Sequence, residues 1–193
     1  MEKKKLIPLG LLFILLIILI VIFFRKGGKE KIKPLPVASS YELGTQAKES
    51  QEMKKIVLFF LSEKDELLHP EEREIHAGTS LGLQARQAMM ELMGGSQNGY
   101  ISPFPLETKL RELFITGDGI AYVDFSKELQ EGHPLGSSAE ILTIFSIVDT
   151  LTYNFKAIKK VFILLDGRER ETLGGHIDLS RPFLPQYGFI AKR

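Results

Sequence analysis

Cysteine is absent from the 193 residues. That excludes disulfides, thiolate metal sites and a cysteine nucleophile, and it equally excludes a lipid-modified cysteine as a membrane anchor. A dominant charge is missing too. Twenty-five Lys and Arg stand against 24 Asp and Glu, a formal net charge of +1, so a general affinity for nucleic acid has no electrostatic support. The phosphate-cradling Gly-x-x-x-x-Gly-Lys pattern does not occur, and Gly117-x-Gly119 runs into Tyr122 inside a hairpin turn, not a strand-to-helix junction. There is no Gly-x-Ser-x-Gly elbow and no His-Glu-x-x-His pair. The four histidines, His69, His76, His133 and His176, lack metal-ligand spacing. No metal and no cofactor is expected.

What is present is sharply segregated. Apolar residues concentrate in an uncharged run from Leu6 to Phe24, broken only by Pro8 and Gly10. As a helix this run would extend roughly 28 Å, close to the hydrocarbon thickness of a bilayer. A cleaved signal peptide has a shorter core and ends in small residues, whereas this run ends in Phe23-Phe24-Arg25-Lys26. An uncleaved transmembrane anchor over residues 6–24 is therefore expected, with the lipid bilayer as its partner. Orientation cues compete. Lys3, Lys4 and Lys5 favour a cytoplasmic tail of residues 1–5, while Arg25, Lys26, Lys29, Lys31 and Lys33 lie on the other flank. A very short tail before a long apolar run is the signal-anchor layout, which puts the remainder outside the cytoplasm. Residues 25–54, with Gly27-Gly28, Pro34, Pro36 and many charges, read as a flexible linker spanning on the order of 30 Å.

Residues 55–193 carry the signals of one globular domain. Ile56–Leu61 and Val161–Leu165 are short, wholly apolar runs, the pattern of strands buried on both faces. The charged segment from Ser62 to Glu74 reads as a loop leading to an edge strand near Arg73 to His76. Thr79 or Ser80 can cap a helix carrying Leu81, Ala85, Ala88, Met89 and Leu92, and Gly94-Gly95 ends it. Lys109–Thr116 and Ile120–Phe125, joined by Gly117-Asp118-Gly119, form a hairpin pattern. Ser126 is placed to cap a short turn, and a second helix from Ser138 to Tyr153 shows Ile141, Ile144, Phe145, Val148 and Leu151 on one face. The tail, rich in proline and aromatics, reads as irregular. Strand, edge strand, helix, hairpin, helix, strand predicts an α/β (α+β) two-layer sandwich, one mixed sheet covered on one face by two helices.

Two acids stand out as candidate catalysts. Asp124 ends an apolar strand and Asp149 lies on the second helix beside Thr150 and Thr152. They could act as an acid and base pair. The plainer reading makes Asp124 a turn or cap ligand and Asp149 a solvent-facing helix residue.

The stretch Tyr122-Val123-Asp124-Phe125-Ser126 resembles the Val-Asp-Leu-Ser segment of the GerMN domain family of sporulation and germination envelope proteins. Ser102-Pro103-Phe104-Pro105, Asp149-Thr150-Leu151 and Val161–Leu165 with Asp166-Gly167 agree in order and spacing. The resemblance covers about Lys55 to Gly167, and Gly175–Pro182 is similar to the family's C-terminal extension. It implies a bacterial, non-catalytic module that builds cell-envelope complexes through a protein partner or self-association. Val123, Asp124, Ser126, Asp149, Thr150, Leu151, Asp166 and Gly167 are its motif residues, in structural or interaction roles. The chain departs from the lipoprotein members in its apolar run and its lack of cysteine. The competing expectation is a module binding cell-wall glycan or peptide on exposed aromatics such as Tyr100, Phe104 and Tyr187.

Overall fold

The structure, a computed structural model, describes residues 52–134 and 136–192. All of them belong to the second of two compact units, Ala47–Arg193. The expected anchor and nearly all of the expected linker lie outside the described residues. Among the described residues no helix is long and apolar enough to cross a membrane.

The elements are β1 (Met53–Leu61), β2 (Leu68–His76), α1 (Leu81–Met93), β3 (Leu110–Ile115), β4 (Ile120–Phe125), α2 (Glu128–Glu131), α3 (Ser137–Asn154) and β5 (Lys160–Leu165). A 3-10 turn, Tyr187–Phe189, sits in the C-terminal segment. Ser80 starts α1 by accepting from the Leu83 amide, and Gly94 closes it with its own N–H on Met90 and Leu92 carbonyls. These are the expected caps. The Gly117–Gly119 hairpin is also present, with β3 antiparallel to β4. Gly119 is required there. Its φ is +90°, and a Cβ would come within 2.6 Å of the Ala157 carbonyl oxygen.

The strands do not make one mixed sheet. β1 and β2 form a two-stranded antiparallel sheet, and β3-β4-β5 a three-stranded one in which β4 and β5 run parallel across the α3 crossover. The sheet ends at β1 because a helix occupies its second edge. Asn154 Oδ1 accepts from Val57 N (2.8 Å) and its Nδ2 donates to Val57 O (2.6 Å). The Thr150 hydroxyl accepts from Phe59 N (3.3 Å), and the Ser146 hydroxyl donates to Phe59 O (2.5 Å). Residues 146, 150 and 154 share one face of α3 at a spacing of four, so side chains replace the missing ladder of a neighbouring strand. Beyond them Leu61 exchanges both backbone bonds with Ile101.

β2 begins five residues before the expected edge strand. It runs through Pro70, which an edge position tolerates because no ladder donor is needed there. Helices α1 and α3 pack on each other and on strands of both sheets. The main core gathers Ile56, Leu58 and Phe60 with Met89, Leu92, Val123, Phe125, Ile147, Leu151 and Ile163. β5 is less enclosed than its composition predicted. Val161, Phe162, Ile163 and Leu165 are buried, but Leu164 is half-buried on the outer face. The tail is irregular as expected, yet fastened. Val161 exchanges both backbone bonds with Phe183, and Leu68 accepts from the Ala191 amide.

Candidate functional site

Asp124 lies on the outer face of the three-stranded sheet, opposite Glu112 and Leu164 in register. Its Oδ1 accepts from the Gly167 amide (2.8 Å) and its Oδ2 from Arg111 Nε (2.9 Å). Arg111 reaches it because the β3–β4 register slips between Leu110 and Glu112, leaving Arg111 as the extra residue of a bulge. The same guanidinium donates to Asp166 Oδ1 (3.3 Å), and the hydrogen bond to Asp124 raises its already high pKa. Asp166 and Gly167 both have positive φ, 52° and 71°. They reverse the chain so that Leu165 and Arg168 exchange both backbone bonds, and Asp124 braces that turn. Ser126 exchanges bonds with Lys109, its amide donating to the Lys109 carbonyl and its hydroxyl accepting from the Lys109 amide (2.9 Å). Its side chain therefore does not cap α2, whose N-cap position is Lys127 without a side-chain bond. Val123 is wholly buried. The structure thus brings Asp124, Asp166 and Gly167 to one corner, with Ser126 at the base of the same strands.

Asp149, Thr150 and Leu151 form a second place. Asp149 does not face solvent. It is fully buried under the C-terminal segment, with Oδ1 accepting from the Gln186 amide (2.8 Å) and Oδ2 without a partner. Burial pushes its pKa up to about 6. Thr150 bonds the β1 edge and Leu151 fills the core. Asp124 and Asp149 share no hydrogen-bond partner among the described residues, and each meets backbone amides in place of a candidate nucleophile.

The aromatic platform expected from Tyr100, Phe104 and Tyr187 does not assemble. Phe104 is buried and packs on Phe125 at 5.3 Å. Tyr100 stacks on His69 near the β1–β2 turn, while Tyr187 meets Tyr153 edge to face at the last turn of α3.

A family profile described as "Germane: Sporulation and spore germination" matches residues 57–171, more than half of the chain. The chain belongs to the Germane family. Its fold is also that of solved structures. A candidate lipoprotein from Clostridium perfringens shares 30% identity with a TM-score of 0.50, over 72% of this chain and 93% of that one. The tandem GerMN domains of the sporulation protein GerM from Bacillus subtilis share 19% identity with a TM-score of 0.53, over 77% of this chain and 50% of that one. This chain thus spans half the length of the tandem protein. No curated protein matches it.

In this Germane domain two further carboxylates organise loops, and neither was singled out in the sequence. Glu140, fully buried on α3, accepts from the amides of Leu173, His176 and Ile177 and from His176 Nδ1. Burial alone would raise its pKa, but the bonds from Gly174, Ile177 and His176 outweigh it and hold the carboxyl below its ordinary value. Glu71 on β2 does the same for the 96–98 loop, accepting from Ser96 Oγ (2.6 Å) and the Gln97 amide (2.8 Å) beside Arg73. Here too burial is overcome by its partners and the pKa is lowered. The one usable signal was an acid in an otherwise apolar period, and Glu140 stands in that way ahead of Ile144, Ile147 and Leu151, whereas Glu71 lies in a charged run. Arg111 had none, because a bulge is invisible in residue pattern.

Proposed function

We propose that this Germane protein is a non-catalytic interaction domain, tethered by a single N-terminal transmembrane helix and facing away from the cytoplasm. Its role is the assembly of a cell-envelope complex through a protein partner or through self-association. The proposed organisation is a tail of residues 1–5, an anchor from Leu6 to Phe24, a linker over 25–54 and the domain over 55–193. Membership of a family described by sporulation and germination supports the setting, and a relative described as a candidate lipoprotein supports attachment to a membrane. The observation that carries the non-catalytic part is the use made of the acids. Asp124, Glu140 and Glu71 each accept two or more bonds from amides or basic groups, which stiffens loops and leaves none of these three a free base. The eight motif residues then act as structural supports that shape the surface a partner would meet.

Site-specific crosslinking in intact cells tests the reading. Photoreactive residues at Phe114 and Leu184, both exposed, should trap either a second copy or a defined envelope protein. Cells carrying Asp124→Asn with Asp149→Asn should keep function. Retained function in that double variant eliminates a hydrolase built on these acids, whereas loss of function with both folding and crosslinking intact would overturn the non-catalytic reading.

A further inference from the structure

The geometry points to one end of the domain as a docking surface for anionic lipid headgroups, an inference that rests on the membrane tether proposed above. Asn154 bonds Val57 and Thr150 bonds Phe59, so β1 runs opposite to α3. β5 follows α3 and lies parallel to β4. The starts of β1, β4 and β5 and the end of α3 therefore meet at one pole. There Gly119 O accepts from the amides of both Lys159 and Lys160, tying the hairpin turn to the loop after α3. This is also the pole at which Glu52 continues into the preceding chain, the part of the sequence that holds the Leu6–Phe24 run.

Residues 52–192 include nine lysines, and five of them, Lys54, Lys55, Lys156, Lys159 and Lys160, belong to this pole. Only Lys55 makes an ion pair among the described residues, with Glu72 at 3.9 Å. The opposing acids are Glu52, Glu72, Glu74 and Asp118, and Asp118 is held by the Thr116 hydroxyl. Lys54 Nζ lies 4.6 Å from the Phe155 ring centre and Lys156 Nζ 5.8 Å from that of Tyr153. Tyr153 and Tyr187 pack edge to face beside them and stay 45% and 44% exposed. Lysine ammonium groups set over aromatic rings, here the buried Phe155 and the exposed Tyr153, are the composition of a membrane–water interface, where an exposed ring sits at headgroup level and the ammonium meets phosphate. The excess of positive charge at this pole is modest, and a free domain would bind weakly. A tether changes that requirement, because it supplies an effective concentration on the order of millimolar. Docking would fix which face of the domain points outward.

The absence of cysteine makes a direct test possible with the full chain. Gly117→Cys places a unique fluorophore at this pole, where an added side chain meets nothing within 4 Å. Glu63→Cys places one at the opposite end, in the β1–β2 turn. Each protein is reconstituted into vesicles of phosphatidylcholine alone or mixed with phosphatidylglycerol, both carrying a headgroup-linked quencher. Quenching at position 117 should rise several-fold with phosphatidylglycerol and fall in high salt. It should return to the phosphatidylcholine level in Lys156→Gln/Lys159→Gln/Lys160→Gln, while position 63 stays unquenched throughout. Equal quenching in both vesicle types, or no change in the triple variant, overturns the docking. Failure to float with phosphatidylcholine vesicles sinks the anchor instead, and lysine-dependent flotation with phosphatidylglycerol would then still uphold the surface.

Discussion

Asp149 is the residue whose surroundings depart furthest from its place in the helical period. The polar stretch Asp149-Thr150 reads as the wet side of α3, because nothing in the pattern tells that residues 183–190 return to cover it. Once covered, the carboxyl keeps one amide partner and loses water on its other oxygen. Its pKa rises from 3.8 to about 6, so the folded state holds a proton that the unfolded chain releases. The stability this confers is complete below the unfolded pKa and is lost as pH rises through about 6. At roughly 1.4 kcal/mol per pH unit the loss amounts to at most about 3 kcal/mol. Asp149→Asn keeps the acceptor for Gln186 and cannot ionise. The variant should therefore unfold at higher denaturant than wild type at pH 8, and lack the wild-type loss of stability between about pH 4 and 6. Parallel pH slopes for the two proteins would show that Asp149 is not the group responsible. Asp124 was easier to read, since an acid between a strand end and a serine suggests a turn ligand, and it does brace one. What could not be read is that the turn belongs to a different strand.

At the scale of elements, the helix α1, the hairpin and both apolar strands were legible, because each combines a periodic apolar pattern with its own caps or turn residues. The division into two sheets was not. It depends on Ser146, Thr150 and Asn154 serving β1 as a strand would, and the same residues read equally well as a solvated helix stripe. Thr150→Val tests that role. The valine fills the same volume but leaves the Phe59 amide unpaired in the interior, which should cost about 1–3 kcal/mol. Ser138→Ala on the exposed first turn should stay within about 0.5 kcal/mol of wild type. A Thr150→Val protein melting with wild type would mean that β1 does not need the helix to complete its edge. The strands make a second contrast. Phe60 is fully buried, so Phe60→Asp places an unpaired charge in the core and should abolish cooperative unfolding. Leu164 is half-buried on the outer sheet face, so Leu164→Asp should give a folded but less stable protein, visible as a retained, shifted thermal transition.

For the whole molecule the decisive question is on which side of the membrane the tether proposed above would hold the domain. The charge rule taken alone argues for the cytoplasm, since Arg25, Lys26, Lys29, Lys31 and Lys33 outnumber Lys3, Lys4 and Lys5. The topology proposed above runs against that count. It rests on an uncharged run from Leu6 to Phe24 long enough to cross a bilayer and on membership of a family described by sporulation and germination. The absence of cysteine closes neither compartment by redox chemistry. A fusion after Arg193 to a reporter active only outside the cytoplasm should therefore be active. The matching fusion to a reporter active only inside it should be silent, and full-length protein should remain in the membrane fraction after washing with high salt. Cytoplasmic activity would reverse the topology and remove the envelope-assembly reading with it. A shortened, soluble chain in the medium would show instead that Leu6–Phe24 is cleaved, and the domain would then work without its tether.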